Sequence, residues 1–492
     1  MFQIRLRPWF ALLLLSPVLR GESADDALRR ATTNVQAATL RAQADPAHPI
    51  FHVTSPAQWM NDPNGPIFYK GVYHLFYQLT PDSDRSGIKY WGHVRSRDLV
   101  QWEHLPIALA PSQDLGEESI WSGCCTVNGE GRPMIFYTSI APGKPAFAHA
   151  EQWAATGDED LIHWQKSPAN PVLTEALHGG NKIYDWRDPF IFHEGQQTFL
   201  VAGGHLAKDG EAAVNIYEAE NPALTQWKYR GVLFAPPGAP TAECPNFFKL
   251  GKEWVLLVSP YGKVQYYLGS FDATTCRFTA RTNGLLDSGS SFYAPNTMLV
   301  PDGRRLVWGW VNGFPDGRGW NGCLSLPRQL SLTHDGRLQQ MPAPQLKKLR
   351  GKAIEWRNVA LTGEAAVFVL PATNTLELAV AVDLKSAQAV ELAVSSGTEA
   401  KAIAVGFEGA QLRVQDAIAP LSLPPGAKRL ELRIFIDRSV LEVFANNTVC
   451  LTKTIKPLVA EASLFIRASG GSAEAETVAA WPLKGIWTKP LP

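Results

Sequence analysis

Three carboxylates stand apart by their surroundings. Asp62 lies in Trp59-Met60-Asn61-Asp62-Pro63-Asn64-Gly65, Asp188 in Trp186-Arg187-Asp188-Pro189 and Glu243 in Thr241-Ala242-Glu243-Cys244-Pro245-Asn246. A proline follows each within two residues, and an aromatic or apolar run comes next. Proline fixes its own φ and pushes the preceding residue out of the helical region, so Asp62 is presented on stiff backbone between two amides. Asn64-Gly65 is expected to supply a tight turn. All three acids are expected at strand entries, in three successive parts of a repeat. The chemistry that needs such a set is glycoside cleavage: one carboxylate attacks the anomeric carbon, and a second, kept protonated, protonates the departing oxygen. A negative neighbour and an apolar wall raise the pKa of such an acid. Arg187 has two open roles, in the site or in a structural ion pair with Asp188. Any one of these dipeptides alone is ordinary turn chemistry, so the weight rests on their recurrence.

The elements that position them are short. Val72-Tyr73-His74-Leu75-Phe76-Tyr77, Met134-Ile135-Phe136-Tyr137, Phe190-Ile191-Phe192, Trp254 to Val258 and Arg305 to Trp310 are aromatic and β-branched runs broken by turn residues, which predicts an all-β chain. Asp98-Leu99-Val100-Gln101-Trp102, Asp160-Leu161-Ile162-His163-Trp164 and Ala223-Leu224-Thr225-Gln226-Trp227 share a pattern whose tryptophans are 62 and then 63 residues apart, with Phe271-Asp272…Phe278 a degenerate fourth copy. A unit of that size holds about four strands, and residues 49–335 have room for five such units as propeller blades. A polar connector spans 336–352. From 353 to 492 the chain alternates with period two, as in Thr375 to Val382 and Arg429 to Ile436, and predicts a β-sandwich with a hairpin turn at Asn446-Asn447.

The chain has 492 residues, 45% hydrophobic and 19% charged, enough for two or three domains with large cores. Lysine plus arginine and aspartate plus glutamate balance at 46 each, which gives no basic surface for nucleic acid. Most of the 16 tryptophans are expected in cores, with sugar platforms a second use. Residues 1–23 read as a signal peptide: Arg5 and Arg7, an apolar run from Trp9 to Leu19, then Gly21-Glu22-Ser23 as the cleavage site. That run is too short to span a bilayer, and the expectation is a secreted or periplasmic protein. Residues 24–48 favour a helical arm. The six cysteines show no zinc spacing and are expected to be mostly buried thiols, with one or two bridges left open.

The three motifs, in this order, resemble the signatures of glycoside hydrolase family 32, which holds invertases, exo-inulinases, levanases and fructosyl-transferring enzymes. The likeness runs from about Pro49 to the C-terminus and includes Phe76-Tyr77-Gln78, Trp91-Gly92-His93, Ser122-Gly123, Tyr293-Ala294-Pro295, Leu326-Pro327-Arg328 and Phe435-Ile436-Asp437-Arg438-Ser439…Glu442-Val443-Phe444. The resemblance implies a five-bladed propeller followed by a β-sandwich, with no metal or organic cofactor. It implies Asp62 as nucleophile, Glu243 as general acid and base, and Asp188 as stabiliser of the transition state. Asn61, Gln78, Trp91, Ser122, Arg187, Trp59, Trp121, Tyr293 and Trp310 are the substrate-binding residues it implies.

The chain departs from the family pattern at Trp121, where phenylalanine is usual, at Asn246, where many members carry aspartate, and at Cys124-Cys125. Loss of a charge at 246 is expected to bear on the acid's pKa or on the leaving-group subsite. The leading expectation is a retaining, exo-acting β-fructosidase acting on a small or polymeric fructoside. A fructosyltransferase of the same fold and an inactive fructan-binding protein are the alternatives. Plain packing against the propeller is the first role expected of the sandwich, and oligomeric state stays open.

Overall fold

The computed structural model describes residues 21–143, 150–206, 210–395, 403–424, 426–458 and 461–488. The basic and apolar regions of the expected signal peptide, Arg5 to Leu19, lie outside the described residues. Among the described residues, no helix is long and apolar enough to cross a membrane.

Five small antiparallel sheets follow one another from Gln58 to Pro342 and form a five-bladed propeller. Blade one begins with Gln58–Tyr69, blade two with Ser119–Val127, blade three with Tyr184–Glu194, blade four with Glu243–Leu250 and blade five with Phe292–Leu299. Trp320-Asn321, beyond the second strand of blade five, pairs in parallel with Gln58-Trp59 and ties the last blade's chain to the first. The tryptophan repeat marks one place in four blades, the turn from the third strand to the fourth. There a side-chain oxygen of Asp98, Asp158, Asn221 or Asp272 accepts backbone N–H groups, and Leu99, Leu161, Leu224 and Cys276 take a left-handed φ. The aromatic residue that follows begins or soon enters the outer strand.

The connector begins later than expected. Leu338–Pro342 pairs with Arg328–Leu332 as the outer strand of blade five, because Asp335-Gly336 makes a hairpin turn rather than ending the sheet. After it, the short helical turn Pro344–Leu349 buries Leu346 and Leu349. Two six-stranded sheets then form the β-sandwich, and Asn446 and Asn447 both have positive φ in the expected hairpin turn. The helix Ala24–Ala44 is capped by Ser23 and packs Ala27, Ala31, Val35 and Ala42 into a core shared with blades one and five and with the sandwich. All six cysteines are free.

A buried ionic cluster joins the two domains. Asp437 of the sandwich accepts the backbone N–H groups of Ile50, Phe51 and His52. His52 bonds Asp437 through Nδ1 at 2.8 Å and Glu442 through Nε2 at 3.0 Å. Arg328 pairs with both Glu442 and Asp287.

Candidate active site

Each blade's first strand carries a bulge at the same level. Met60 and Pro63 face Leu79 and Tyr77, and the same three-against-two step recurs at Ile120–Gly123, Arg187–Phe190, Glu243–Asn246 and Tyr293–Asn296. A bulge re-aims side chains and leaves a residue out of the ladder, a place where proline costs no hydrogen bond. Asp188, Cys244 and Ala294, each just before its proline, have φ of 61°, 46° and 46°. The bulges thus set Asn61-Asp62, Trp121-Ser122, Arg187-Asp188, Glu243-Cys244 and Tyr293-Ala294 around one end of the channel.

Two sequence expectations change here. Asp62 and Asp188 stand inside their strands rather than at strand entries, and the three acids come from blades one, three and four, with blade two supplying Trp121 and Ser122. Asn64-Gly65 is not a turn. The strand runs on to Tyr69, with a second bulge at Gly65 where φ is 45°; a Cβ there would stand 2.9 Å from Cys125 Cβ.

Asp62 receives Ser122 Oγ–H on Oδ2 at 2.5 Å and Asn61 Nδ2 on Oδ1 at 3.0 Å. Gln78 locks both donors: its Oε1 accepts from Asn61 at 2.6 Å and its Nε2 donates to Ser122 Oγ at 2.6 Å. Asp188 Oδ2 accepts the Cys244 N–H at 2.9 Å. The Cys244 thiol lies between two acids, 3.5 Å from Asp62 Oδ2 and 3.6 Å from Asp188 Oδ2. Glu243 Oε1 is paired with Arg187 Nη2, and Oε2 accepts the Tyr293 hydroxyl at 2.5 Å.

Arg187 does not serve mainly as the partner of Asp188, whose Oδ2 is 3.7 Å from its Nε. Its two terminal nitrogens pair with Asp185 and Glu243, and it lies 5.5 Å from the centre of the Trp121 ring. Burial pushes the Asp62 carboxyl up, with the Glu243 charge adding to it, while the Ser122, Asn61 and Cys244 bonds oppose the rise. Burial also raises Asp188, to about 7, against the pull of Arg187 and with the charges of Glu243 and Asp62.

Trp59 donates to Asn61 Oδ1 at 3.0 Å and is backed edge-on by Trp310 at 5.6 Å. Trp91 does not line the basin. It is fully buried, and its Nε1 donates to the Trp121 carbonyl at 3.0 Å, so it positions Trp121 from behind. Asn246 also faces away from Glu243: its Nδ2 donates to the Cys244 and Pro295 carbonyls, and its Oδ1 accepts the Thr297 N–H. It ties blade four to blade five at the channel's waist, so the expected effect on the acid has no contact to carry it.

Sequence reasoning missed Asp185, Tyr261 and Lys89. Asp185 shares a strand face with Arg187, two residues on, and that spacing was a readable signal. Tyr261 accepts from Arg187 at 3.0 Å and donates its N–H to the Tyr293 hydroxyl. Lys89 is buried with Thr80 and Ser86 as hydrogen-bond partners, and burial pulls it down to about 8 against the charge of Asp62. Nothing in the sequence pointed to it. Among the described residues no group of His, Cys, Asp and Glu is placed to hold a metal ion.

Known proteins resemble this chain in sequence and in fold. The chain is 33% identical to a sucrose-6-phosphate hydrolase of Zymomonas mobilis over 81% of its length and 84% of the relative's. It is 30% identical to the levanase of Bacillus subtilis over 89% of its length and 71% of the relative's. A β-fructofuranosidase of Bombyx mori superposes with a TM-score of 0.81 at 26% identity, covering 94% of this chain and 100% of that one. The fructan 1-exohydrolase IIa of Cichorium intybus superposes with a TM-score of 0.81 at 23% identity, over 91% of this chain and 99% of that one, a likeness of fold. Residues 52–342 match the glycosyl hydrolases family 32 N-terminal domain and residues 345–482 the family's C-terminal one, so the chain belongs to glycoside hydrolase family 32.

Proposed function

We propose that the protein is a retaining, exo-acting β-fructosidase that removes terminal β-D-fructofuranosyl units from sucrose or fructans. Asp62 attacks the anomeric carbon to form a fructosyl–enzyme. Glu243 protonates the departing oxygen and then takes a proton from the water that releases fructose. Asp188 holds ring hydroxyls and stabilises the positive charge of the transition state. Asn61, Gln78 and Ser122 fix the nucleophile, while Trp59, Trp121 and Trp310 wall the sugar.

The observation that carries this reading is the Cys244 thiol set between Asp62 and Asp188, with Glu243 the preceding residue. One backbone step thereby gathers three carboxylates into one basin. Three donors on Asp62 favour the anion that a nucleophile needs. The Glu243 side chain, held by Arg187 and Tyr293, keeps 17% of its surface exposed and open to a leaving group.

Product analysis on sucrose, inulin and levan tests the activity, with Asp62→Ala as control. Free fructose as main product, absent with the variant, is the expected result; longer oligosaccharides would move the protein to the transferase class. Asp62→Ala and Glu243→Ala should each cost roughly a thousandfold or more in kcat. An activated aryl fructoside should partly rescue Glu243→Ala alone, and rescue of Asp62→Ala instead would overturn the roles.

We further propose export, supported by Arg5, Arg7 and the apolar run to Leu19. N-terminal sequencing should find a mature chain starting between Gly21 and Ala24 outside the cytoplasm; an intact Met1 in the cytoplasm would refute it.

A further inference from the structure

The propeller channel has a second opening, at the end opposite the three carboxylates. A cavity of about 410 Å³ lies there, walled by the lower parts of the five first strands, among them Phe68, Thr126, Phe192, Phe248 and Met298. Its volume is that of a small-molecule site. The asparagine tie at the channel's waist, Asn246 to Pro295 and Asn296 to the Gly123 carbonyl, stands between it and the basin.

Arg305 is what sets this cavity apart. It sits on the second strand of blade five, opposite Leu299, with its guanidinium over the Phe248 ring at 4.3 Å. Nη1 donates to Thr297 Oγ1 at 3.2 Å, whereas Nε is buried and has no hydrogen-bond partner. Arg187 and Arg328, which unlike the half-buried Arg305 are buried, each pair with two or more carboxylates. Among the described residues, no carboxylate pairs with Arg305.

The cavity wall contains no Asp or Glu, and its two other basic residues are engaged: Lys249 pairs with Glu194, and His193 Nδ1 bonds Thr198 Oγ1. A guanidinium stays charged at neutral pH, and a buried Nε–H left without a partner is costly. One unneutralised positive charge calls for one negative charge, and the aromatic and aliphatic wall around it calls for an apolar body.

We propose that the distal end of the channel is a binding site for a small monocarboxylate with an apolar body, held by its carboxylate on Arg305 and packed against Phe248 and Met298. The site is separate from the catalytic basin and does not depend on the reaction assigned to that basin.

Isothermal titration of the full chain with phenylacetate tests this, with phenethyl alcohol as the uncharged analogue and inorganic phosphate as the anion lacking an apolar body. One equivalent of phenylacetate should bind, with the two controls weaker by about tenfold or more, the worth of one charge-assisted contact. Arg305→Met should lose that affinity, while Arg187→Met should keep it. Leu299→Glu is a second variant that leaves the core alone, because Leu299 is 57% exposed and directly opposite Arg305. It supplies an internal carboxylate and should abolish binding in a folded protein. Absence of phenylacetate binding to the wild type at about 10 mM, equal affinity in Arg305→Met or Leu299→Glu, loss in Arg187→Met, or tighter binding of phosphate would each overturn the proposal.

Discussion

Ser122 gives its hydroxyl hydrogen to Asp62 Oδ2 at 2.5 Å, while its own oxygen accepts from Gln78. The hydroxyl is therefore not free to rotate away, and the bond holds down a carboxyl that burial pushes up. A hydrogen bond to a charged group contributes about 1.5–3 kcal/mol, equivalent to one or two pH units of about 1.4 kcal/mol each. Ser122→Ala should move the acid limb of the kcat/KM profile to higher pH by about that much and lower the maximum about tenfold. A pH–rate profile on sucrose checks it; an unmoved acid limb would separate Ser122 from the ionisation of Asp62.

The cluster between the domains makes stability depend on pH in a fixed sense. Burial works against a charged His52, but its bonds to Asp437 and Glu442 prevail and raise it from 6.5 to about 9. A raised pKa contributes stability that is complete below pH 6.5 and is lost as pH rises through about 9; the shift corresponds to about 3 kcal/mol. Glu442 has the opposite sign. Although its burial opposes ionisation, Arg328 and His52 hold it below 4.5, so its contribution is present above that value and fades under acid. Calorimetry from pH 5 to pH 10 should show Tm falling above about pH 7. In His52→Gln the fall should vanish, with a lower Tm at pH 6 and a smaller deficit at pH 10.

Asn246 places its amide nitrogen toward two carbonyl oxygens, those of Cys244 and Pro295. In Asn246→Asp the carboxylate keeps the Thr297 N–H but faces those carbonyls without a hydrogen to offer. The variant should lose about 1–3 kcal/mol at pH 7. A protonated aspartic acid can donate once, so its folded pKa is raised and the loss should shrink as pH falls toward 5. Urea unfolding at both pH values measures the difference, and equal losses would mean that the tie between blades four and five does not depend on this donor.

Much of the fold and site was legible because both rest on local backbone chemistry. The tryptophan repeat was readable because one Asx-type turn recurs between the outer strands of four blades. The acids were readable because a proline marks the bulge that aims Asp62, Asp188 and Glu243. What escaped was non-local. Trp91 is a substrate-binding residue in what the family resemblance implies, yet packing buries it behind Trp121. Asp437 and Glu442, in a string readable only as a family likeness, form the joint between domains through His52 and Arg328, 385 and 114 residues away. The bulge at Gly65 was mistaken for a turn because Asn-Gly favours both, and only the continuing ladder decides between them.

Gly65 makes the tightest test of that bulge. Its φ is 45°, and a Cβ would stand 2.9 Å from Cys125 Cβ and 3.0 Å from Cys125 N on the neighbouring blade. Gly65→Ala therefore meets both a left-handed backbone penalty and an overlap with a strand that cannot retreat, together about 2–4 kcal/mol. Relief requires blades one and two to part at the level just below Asp62 and Ser122, which lengthens the bond between them. The variant should lose stability and also lower kcat/KM by about tenfold or more. Adding Cys125→Gly removes the side-chain overlap and leaves the backbone one, so it should restore part of the stability and part of the activity together. Recovery of stability without recovery of activity would show that the spacing of the two blades does not set the geometry around Asp62.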